Sequence, residues 1–242
     1  MKIYVVGLGP GELRQMTKRA YEALEECQVI AGYDVYIDLI REEFNHKELV
    51  STPMKKEVDR CHIVLQEAMK GKTVAMICSG DAGIYGMAGL IYEVAQQYDP
   101  VEIEIVPGIT AASSGAAVLG APLIHDFAVI SLSDLLTPWE LIEKRLECAA
   151  MADFVICLYN PSSKKRRDYL AKACDIVLKH RKEDTKCGIA QNIGREGEQG
   201  KVLDLIQLRD TEVDMFTTVF IGNSNTKEIG GKLVTPRGYK NV

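Results

Sequence analysis

Residues 3–11, IYVVGLGPG, decide the fold class of this chain. A continuous run of apolar residues such as 3–6 is typical of a strand that is covered on both faces. The run ends at Gly7, and Gly9 and Gly11 follow closely. Glycines allow unusual backbone dihedrals and a close approach of the backbone to a ligand. The segment therefore predicts a buried strand, followed either by a ligand-binding loop or by a tight turn into a helix.

Strand and helix signals alternate along the rest of the chain. The further predicted strands, which are rich in or alternate with apolar residues, are 29–31, 73–78, 102–106, 127–132, 154–158, 187–191, 201–205 and 217–221. The predicted helices, which share helix-forming composition or spacing, are 16–27, 56–70, 86–97, 110–119, 138–151 and 164–180. This alternation predicts an α/β protein with a largely parallel sheet in its first half. Glycine and proline at 120–122 mark the predicted boundary between two α/β domains, 1–121 and 122–242.

The composition argues against several classes of protein. The chain has 242 residues, 47% of them hydrophobic, and its 29 lysines and arginines against 34 aspartates and glutamates leave a net charge of −5. This is ordinary for a globular protein, and the mild acidity argues against nucleic acid as a partner. We expect no membrane span, because that needs about 20 consecutive apolar residues. The start of the chain lacks a signal-peptide pattern, so the cytoplasm is the expected compartment.

Residue spacing does not support a metal site. The seven cysteines form no Cys-x-x-Cys pair, and the four histidines are far apart. Buried free thiols are therefore favoured over metal ligands. The chain also lacks the Gly-x-Ser-x-Gly pattern of many hydrolases. The sequence predicts no resident metal and gives no support to hydrolase chemistry.

Two further glycine-containing segments follow predicted strands, as residues 7–11 do. They are 79–86, SGDAGIYG, and 107–112, PGITAA. Open parallel sheets bind ligands at the carboxyl ends of their strands, so the three segments together favour a ligand cleft. Asp81 could bond a ligand hydroxyl or amine, or cap the helix that follows. None of the three matches the dinucleotide fingerprint or the phosphate-binding P-loop.

These three segments together resemble the tetrapyrrole methylase family, and the resemblance covers essentially the whole chain. Three more segments resemble the branch of that family that methylates C17 of a corrin precursor: 131–139, SLSDLLTPW; 158–166, LYNPSSKKR; and 234–239, VTPRGY. The family fold has two α/β domains with the active site in a trough between them. The resemblance implies an enzyme that uses S-adenosylmethionine (SAM) and forms a homodimer.

The reaction that the resemblance implies belongs to cobalamin biosynthesis. The methyl group of SAM is transferred to C17 of precorrin-3B or its cobalt counterpart. S-adenosylhomocysteine (SAH) is released, and the ring contracts to precorrin-4 or cobalt-precorrin-4. Two alternatives stay open: another methylase of the family, acting at a different corrin carbon or on a protein as diphthine synthase does, and a non-catalytic corrinoid-precursor carrier.

The motifs also imply individual contacts. Those carried over to SAM are Pro10, Ser79, Gly80, Asp81, Ile84, Thr110, Ala111, Tyr159 and, by a looser alignment, Asn192 and Ile193. Corrin precursors carry many carboxylates, and arginine suits bidentate binding of carboxylates. The candidates for binding the substrate are Asn160, Lys164, Arg166, Arg167 and Arg237.

The cations at 164–167 stand where the sequence predicts the start of a helix. Cations there oppose the helix macrodipole, so they point to an anionic ligand or form a solvated basic face. Asp34 aligns with a proposed acid/base aspartate of related methylases, but an aspartate after a strand equally suits a cap. Ser131 and Asp134, with Ser133, are weaker candidates for handling an oxygen of the contracting ring.

Overall fold

The computed structural model describes residues 1–163 and 166–240, so the predicted substrate contact Lys164 lies outside the described residues. The chain divides into two units, Met1–Ala111 and Ala112–Val242. The sequence placed the boundary later, at 121/122. Helix α5, Ala111–Leu119, accounts for the difference because it packs within the second unit.

The first unit contains a five-stranded sheet in the order β3-β2-β4-β1-β5. Its strands are β1 Lys2–Gly7, β2 Val29–Tyr33, β3 Glu48–Thr52, β4 Thr73–Cys78 and β5 Glu102–Val106. Its helices are α1 Lys18–Glu26, α2 Asp34–Ile40, α3 Glu57–Met69 and α4 Ala88–Ala95, with a short 3-10 helix at Leu13–Gln15. Every strand pair in this sheet is parallel, as the strand–helix alternation predicted.

Strand β1 shows why the opening segment is continuously apolar. Ile3 and Val5 are buried in a cluster with residues of α3 and α4. Tyr4 and Val6 are buried in a second cluster with residues of α1 and α2. Because successive side chains of a strand point to opposite faces, a strand covered on both faces has no solvent-facing position. The predicted two-sided burial is confirmed.

The second unit is built on a mixed sheet in the order β10-β9-β11-β8-β7. Only β7 and β8 pair in parallel, and the other pairs are antiparallel. The strands of this unit are β6 Gly120–Ala121, β7 Phe127–Ser131, β8 Val155–Tyr159, β9 Lys186–Gln191, β10 Gln199–Asp204, β11 Thr217–Ile221, β12 Lys227–Ile229 and β13 Lys232–Val234. Besides α5, its helices are α6 Trp139–Met151, α7 Tyr169–Leu178 and α8 Leu205–Arg209. Strands β12, β13 and β6 form a small separate sheet.

Small residues let α5 approach the mixed sheet closely. A Cβ placed on Gly115 would lie 3.0 Å from Ile193 Cδ1 and 3.1 Å from the Phe220 ring. The opposite face of the sheet packs on α6, α7 and α8, where Leu146, Ala173 and other apolar side chains are buried. The sheet is therefore covered on both faces within its own unit.

The predicted helix at 164–180 begins later than expected, which corrects one argument from the sequence. Helix α7 starts at Tyr169, with Asp168 at its N-cap position. Arg166 precedes the helix, and its backbone amide donates to Ser163 O at 3.0 Å. Arg166 and Arg167 therefore do not occupy the first turn of a helix, and the predicted conflict with the macrodipole does not arise there.

The cysteines are free, and all but Cys148 are buried. Burial raises the pKa of the Cys61 and Cys78 thiols to about 11. Because the thiolate is the reactive form, we expect thiol reagents to label only Cys148 quickly in the native protein. Iodoacetamide labelling at pH 8, read by peptide mass spectrometry with and without denaturant, checks this. Fast native labelling of Cys78 would contradict it.

Among residues 1–163 and 166–240, no helix has both the length and the apolar character needed to cross a membrane.

Candidate functional site

Three glycine-containing loops lie at the carboxyl edge of the first unit's sheet. They follow β4, β1 and β5, which are neighbours in that sheet. Two backbone bonds join the first two loops: Gly9 N donates to Gly80 O at 3.0 Å, and Gly80 N donates to Gly9 O at 2.8 Å. The carboxyl edge is where open α/β sheets bind ligands. The structure thus brings together the segments that the sequence singled out.

Two glycines permit the third loop to approach the other two. A Cβ on Gly108 would lie 2.1 Å from Gly80 O and 2.5 Å from Gly7 O. A Cβ on Gly7 would lie 2.6 Å from Gly108 N and 2.7 Å from Gly80 O. All of these neighbours are backbone atoms, which cannot turn aside as a side chain can. The absence of a side chain at both positions is therefore required by the packing of the three loops.

The Asp81 carboxylate holds the loops after β4 and β5. Its Oδ1 accepts bonds from Gly83 N at 2.8 Å and Ile84 N at 3.0 Å, and its Oδ2 accepts one from Gly108 N at 3.0 Å. Charge-assisted bonds to a carboxylate are stronger than neutral ones. The two roles weighed from the sequence were a ligand contact and a helix cap. The geometry adds a third, in which Asp81 orders two loops at once.

Most of the predicted cofactor contacts lie on these loops. They are Pro10, Ser79, Gly80, Asp81, Ile84 and Thr110, and Ala111 follows directly at the start of α5. Ile84 exposes 41% of its surface. Two further apolar side chains on the same loops, Tyr85 and Ile109, are also exposed, and the sequence analysis missed them. An apolar residue inside a glycine-rich loop is the signal that could have found them.

Asp34 lies at the same edge of the first sheet. It is the first residue of α2 and directly follows β2. Its side chain is half-buried and has no hydrogen-bond or ion-pair partner within the described part of the chain. A half-buried carboxylate without a partner is available to a ligand.

A polar cluster occupies the ends of β7 and β8 in the second unit. We call it the β7/β8 cluster; its members are Ser131, Ser133, Asp134, Asn160, Ser163, Arg166 and Tyr169. Ser131 pairs in register with Tyr159, the last residue of β8. Asn160 Nδ2 donates to Ser131 Oγ at 2.9 Å, and Ser133 N donates to the same oxygen at 3.2 Å. Two segments that resemble the C17 branch of the family are therefore bonded to each other.

Arg166 bonds three members of the β7/β8 cluster through its side chain. Its Nε donates to Ser163 Oγ at 3.0 Å, and its Nη1 donates to Ser133 Oγ at 2.6 Å and lies 3.3 Å from Asp134 Oδ1. Tyr169 OH donates to Asp134 Oδ2 at 2.7 Å. The Tyr169 hydroxyl and the Arg166 guanidinium lower the pKa of the Asp134 carboxyl. Asp134 is therefore ionised at neutral pH, with both oxygens engaged.

No sequence motif marks Tyr169, because the predicted helix at 164–180 places it inside the helix and not at its start. As the first residue of α7, its ring packs against Trp139 with centroids 4.3 Å apart. The Lys172 ammonium lies 5.1 Å from the Tyr169 ring centroid. A cation close to an aromatic face adds to such packing. The single tryptophan thus supports the tyrosine that bonds Asp134.

The predicted cofactor contacts of the second unit are Tyr159, Asn192 and Ile193. Tyr159 OH accepts a bond from Ala112 N at 2.6 Å, which connects the end of β8 to the start of α5. Asn192 follows β9 with a positive φ of 52°, and its Nδ2 donates to Gly197 O at 3.4 Å. Ile193 is buried against α5. A core position explains Ile193 without a ligand.

Two predicted substrate contacts, Arg167 and Arg237, form no bond with the β7/β8 cluster. Arg167 and Arg237 are exposed, and neither bonds a described residue. Arg237 follows β13 of the small sheet. Free, exposed guanidinium groups are compatible with binding an anion but are not ordered for it. Within the described part of the chain, no group of three or more His, Cys, Asp and Glu side chains is placed to hold a metal ion.

The fold and these loops define a class of α/β methylases. The family model of Tetrapyrrole (Corrin/Porphyrin) Methylases matches residues 2–208, and the chain belongs to this family. The predicted family and fold class are thereby confirmed.

Comparison with individual proteins shows which members of the family this chain is similar to. The chain is 44% identical over 236 residues to a probable cobalt-factor III C(17)-methyltransferase of Salmonella typhimurium, covering 97% of this chain and 98% of that protein. It is 46% identical over 244 residues to the cobalt-factor III methyltransferase of Priestia megaterium, of whose length it spans 45%. The crystal structure of the methyltransferase CobJ is similar with a TM-score of 0.89 at 36% identity, covering 97% of this chain and 99% of that one.

Proposed function

We propose that this chain transfers the methyl group of SAM to C17 of cobalt-factor III or precorrin-3B, with contraction of the ring, in cobalamin biosynthesis. The observation that carries the proposal is the 44% identity to the Salmonella protein over nearly the full length of both chains. Cobalt-factor III is the substrate to test first, because the Salmonella and Priestia relatives both bear its name.

The loops of the first unit fit the chemistry of SAM. They offer backbone carbonyl and amide groups in close array around Gly80 and Gly108, with the exposed apolar side chains of Ile84 and Ile109 beside them. When bound, SAM supplies a methyl group that is already activated on a sulfonium. The chain then needs no nucleophile of its own, and positioning alone can contribute about 7–11 kcal/mol. We assign Pro10, Ser79, Thr110 and their loop neighbours to holding it, and Tyr159, Asn192 and Ile193 more weakly.

The β7/β8 cluster fits a polycarboxylate substrate. Arg166 is fixed by Ser133 and Asp134, and it retains donors that these residues do not use. Guanidinium groups bind carboxylates through two parallel bonds. We assign Arg166 and Asn160 to the substrate, with Arg167 and Arg237 as less ordered contacts.

Two carboxylates have different proposed parts in proton transfer. Asp34 is the candidate acid/base because it is half-buried and has no partner among the described residues. Asp134 is the weaker candidate, since both of its oxygens are bonded and its pKa is lowered. We assign Asp134 to positioning Arg166, and Ser131 to a hydroxyl contact with the contracting ring.

The Tyr169 hydroxyl provides a test of this positioning. Tyr169→Phe removes the bond to Asp134 and keeps the ring that packs on Trp139. We expect KM for the tetrapyrrole to rise about 3- to 10-fold, the range for one hydrogen bond to a charged partner, with SAH affinity unchanged. Steady-state kinetics and SAH calorimetry measure both. A fall in SAH affinity with KM unchanged would contradict the assignment.

Labelled SAM incubated with a panel of corrin precursors tests the proposed function. We expect label in cobalt-factor III or precorrin-3B only. Label in a precursor that is methylated at another carbon would favour a different member of the family. SAH and precursor binding without any transfer would favour a carrier. The homodimer implied by the resemblance and the cytoplasmic location expected from the start of the sequence stay predictions, and light scattering after gel filtration tests the first.

A further inference from the structure

Arg60 is a buried cation in the first unit. It lies in the first turns of α3, and only 4% of its surface is exposed. Arginine stays protonated in proteins, so its guanidinium cannot escape burial by losing its charge. A buried ion without a compensating charge is costly. The partners of Arg60 are therefore informative.

The partners of Arg60 in the described residues are neutral. Its Nε donates to Thr52 Oγ1 at 2.8 Å, and its Nη1 lies 3.8 Å from Met87 Sδ, a weak acceptor. No carboxylate of a described residue forms an ion pair with it. No hydrogen bond joins Nη2 to a described residue.

The other deeply buried guanidinium of the described chain is treated differently. Only 4% of the Arg181 side chain is exposed, and Arg181 forms an ion pair with Asp153. At Arg181, this chain thus supplies a carboxylate for a buried arginine. At Arg60 it supplies a hydroxyl and a thioether. Because no described residue supplies a negative charge at Arg60, a bound ligand is a candidate source of it.

The position of Arg60 is the carboxyl edge of the sheet. Thr52 is the last residue of β3 and pairs in register with Tyr33, directly before Asp34. Met87 follows the loop that contains Ser79 and Asp81. The guanidinium therefore lies between the end of β3 and a loop that we assign to the cofactor.

We propose that Arg60 binds a carboxylate of a bound ligand through its free donors. This inference rests on the proposed function for the identity of the ligand, since both SAM and a corrin precursor carry carboxylates. With either ligand, the interaction is the same: one carboxylate of the ligand binds the guanidinium of Arg60. Which ligand provides it is decided by the binding experiment.

Arg60→Met tests the proposal, with Arg41→Met as the matched control. Arg41 is an exposed arginine of the same unit, paired with Asp38 at the surface. The probes are SAH, 5′-methylthioadenosine, which lacks the amino-acid carboxylate, and uroporphyrin, a polycarboxylate tetrapyrrole. We expect Arg60→Met to weaken the binding of either SAH or uroporphyrin about 10- to 100-fold, because a hydrogen bond to a charged group is lost. Arg41→Met should bind all three like the wild type.

The pattern across probes identifies the source of the carboxylate. If Arg60→Met lowers the affinity for SAH but not for 5′-methylthioadenosine, the carboxylate belongs to the cosubstrate. If it lowers the affinity for uroporphyrin alone, the carboxylate belongs to the substrate. Arg60→Lys should weaken the binding of the same probe by less, because lysine keeps the positive charge but loses the planar guanidinium that can form two parallel bonds.

Stability separates this role from a structural one. Replacing a buried charge that has no internal counter-charge with methionine should leave the Tm of the ligand-free protein unchanged or raise it. Unchanged affinity for every probe in both Arg60 variants, or a marked fall in the ligand-free Tm of Arg60→Met, would overturn the inference. Wild-type protein that binds neither SAH nor any tetrapyrrole would instead overturn the proposed function.

Discussion

Gly108→Ala should weaken SAH binding about 100-fold and destabilise the first unit by about 1–3 kcal/mol, the usual cost of overpacking. The new Cβ would lie 2.1 Å from Gly80 O and 2.5 Å from Gly7 O, so the backbone of at least one loop must move. The displaced loops contain most of the residues that we assign to the cofactor. Isothermal calorimetry with SAH and thermal unfolding measure the two effects.

Gly89→Ala is the control for this substitution. Gly89 lies in α4, is exposed, and a Cβ there would meet nothing within 4 Å. Alanine in a helix is favoured over glycine by about 0.5–1 kcal/mol, so this variant should be slightly more stable and bind SAH normally. A Gly108→Ala protein that matched the wild type in both measurements would show that the loops tolerate expansion and would remove the packing argument.

Arg166→Met should lower kcat/KM for the tetrapyrrole about 30- to 100-fold and leave SAH affinity unchanged. The loss corresponds to about 2–3 kcal/mol, the range for hydrogen bonds to a charged group. The substitution removes the guanidinium and also leaves Asp134 without its ion-pair partner. Single-turnover rates over a range of substrate concentrations separate weaker binding from slower chemistry.

Arg145→Met is the matched control for Arg166→Met. Arg145 lies on α6 of the same unit, is exposed, and bonds no described residue. Its replacement should change neither kcat/KM nor SAH affinity. Adding Asp134→Asn to Arg166→Met should lower kcat/KM little further, because the effects of substitutions at contacting residues do not add. Full activity in Arg166→Met would place substrate binding elsewhere.

The local signals of the first unit were enough to predict much of its fold. The unbroken apolar run of β1 indicated burial on both faces, and the structure confirms it. The glycines at 7, 80 and 108 could be expected to meet because parallel strands end at one edge. The distances between these glycines depend on which strands are neighbours in the sheet. Local sequence patterns do not predict that strand order.

The second unit was harder to predict because its decisive contacts are distant in sequence. The antiparallel pairing of β9 with β10 and β11 has no marker in the apolar runs themselves. Helix α7 starts after Arg166, whose side chain bonds Ser133 in the loop that follows β7. Tyr169 and Arg60 escaped notice for the same reason: each is defined by partners on other elements.

The most direct test of the central claim is the position of the transferred methyl group. The protein is incubated anaerobically with SAM carrying a 13C-methyl group and with cobalt-factor III or metal-free precorrin-3B, and the product is analysed by NMR and mass spectrometry. We predict the 13C label on C17 of a ring-contracted product from at least one precursor. Label on any other carbon, or SAM turnover without a labelled corrin, would contradict the account.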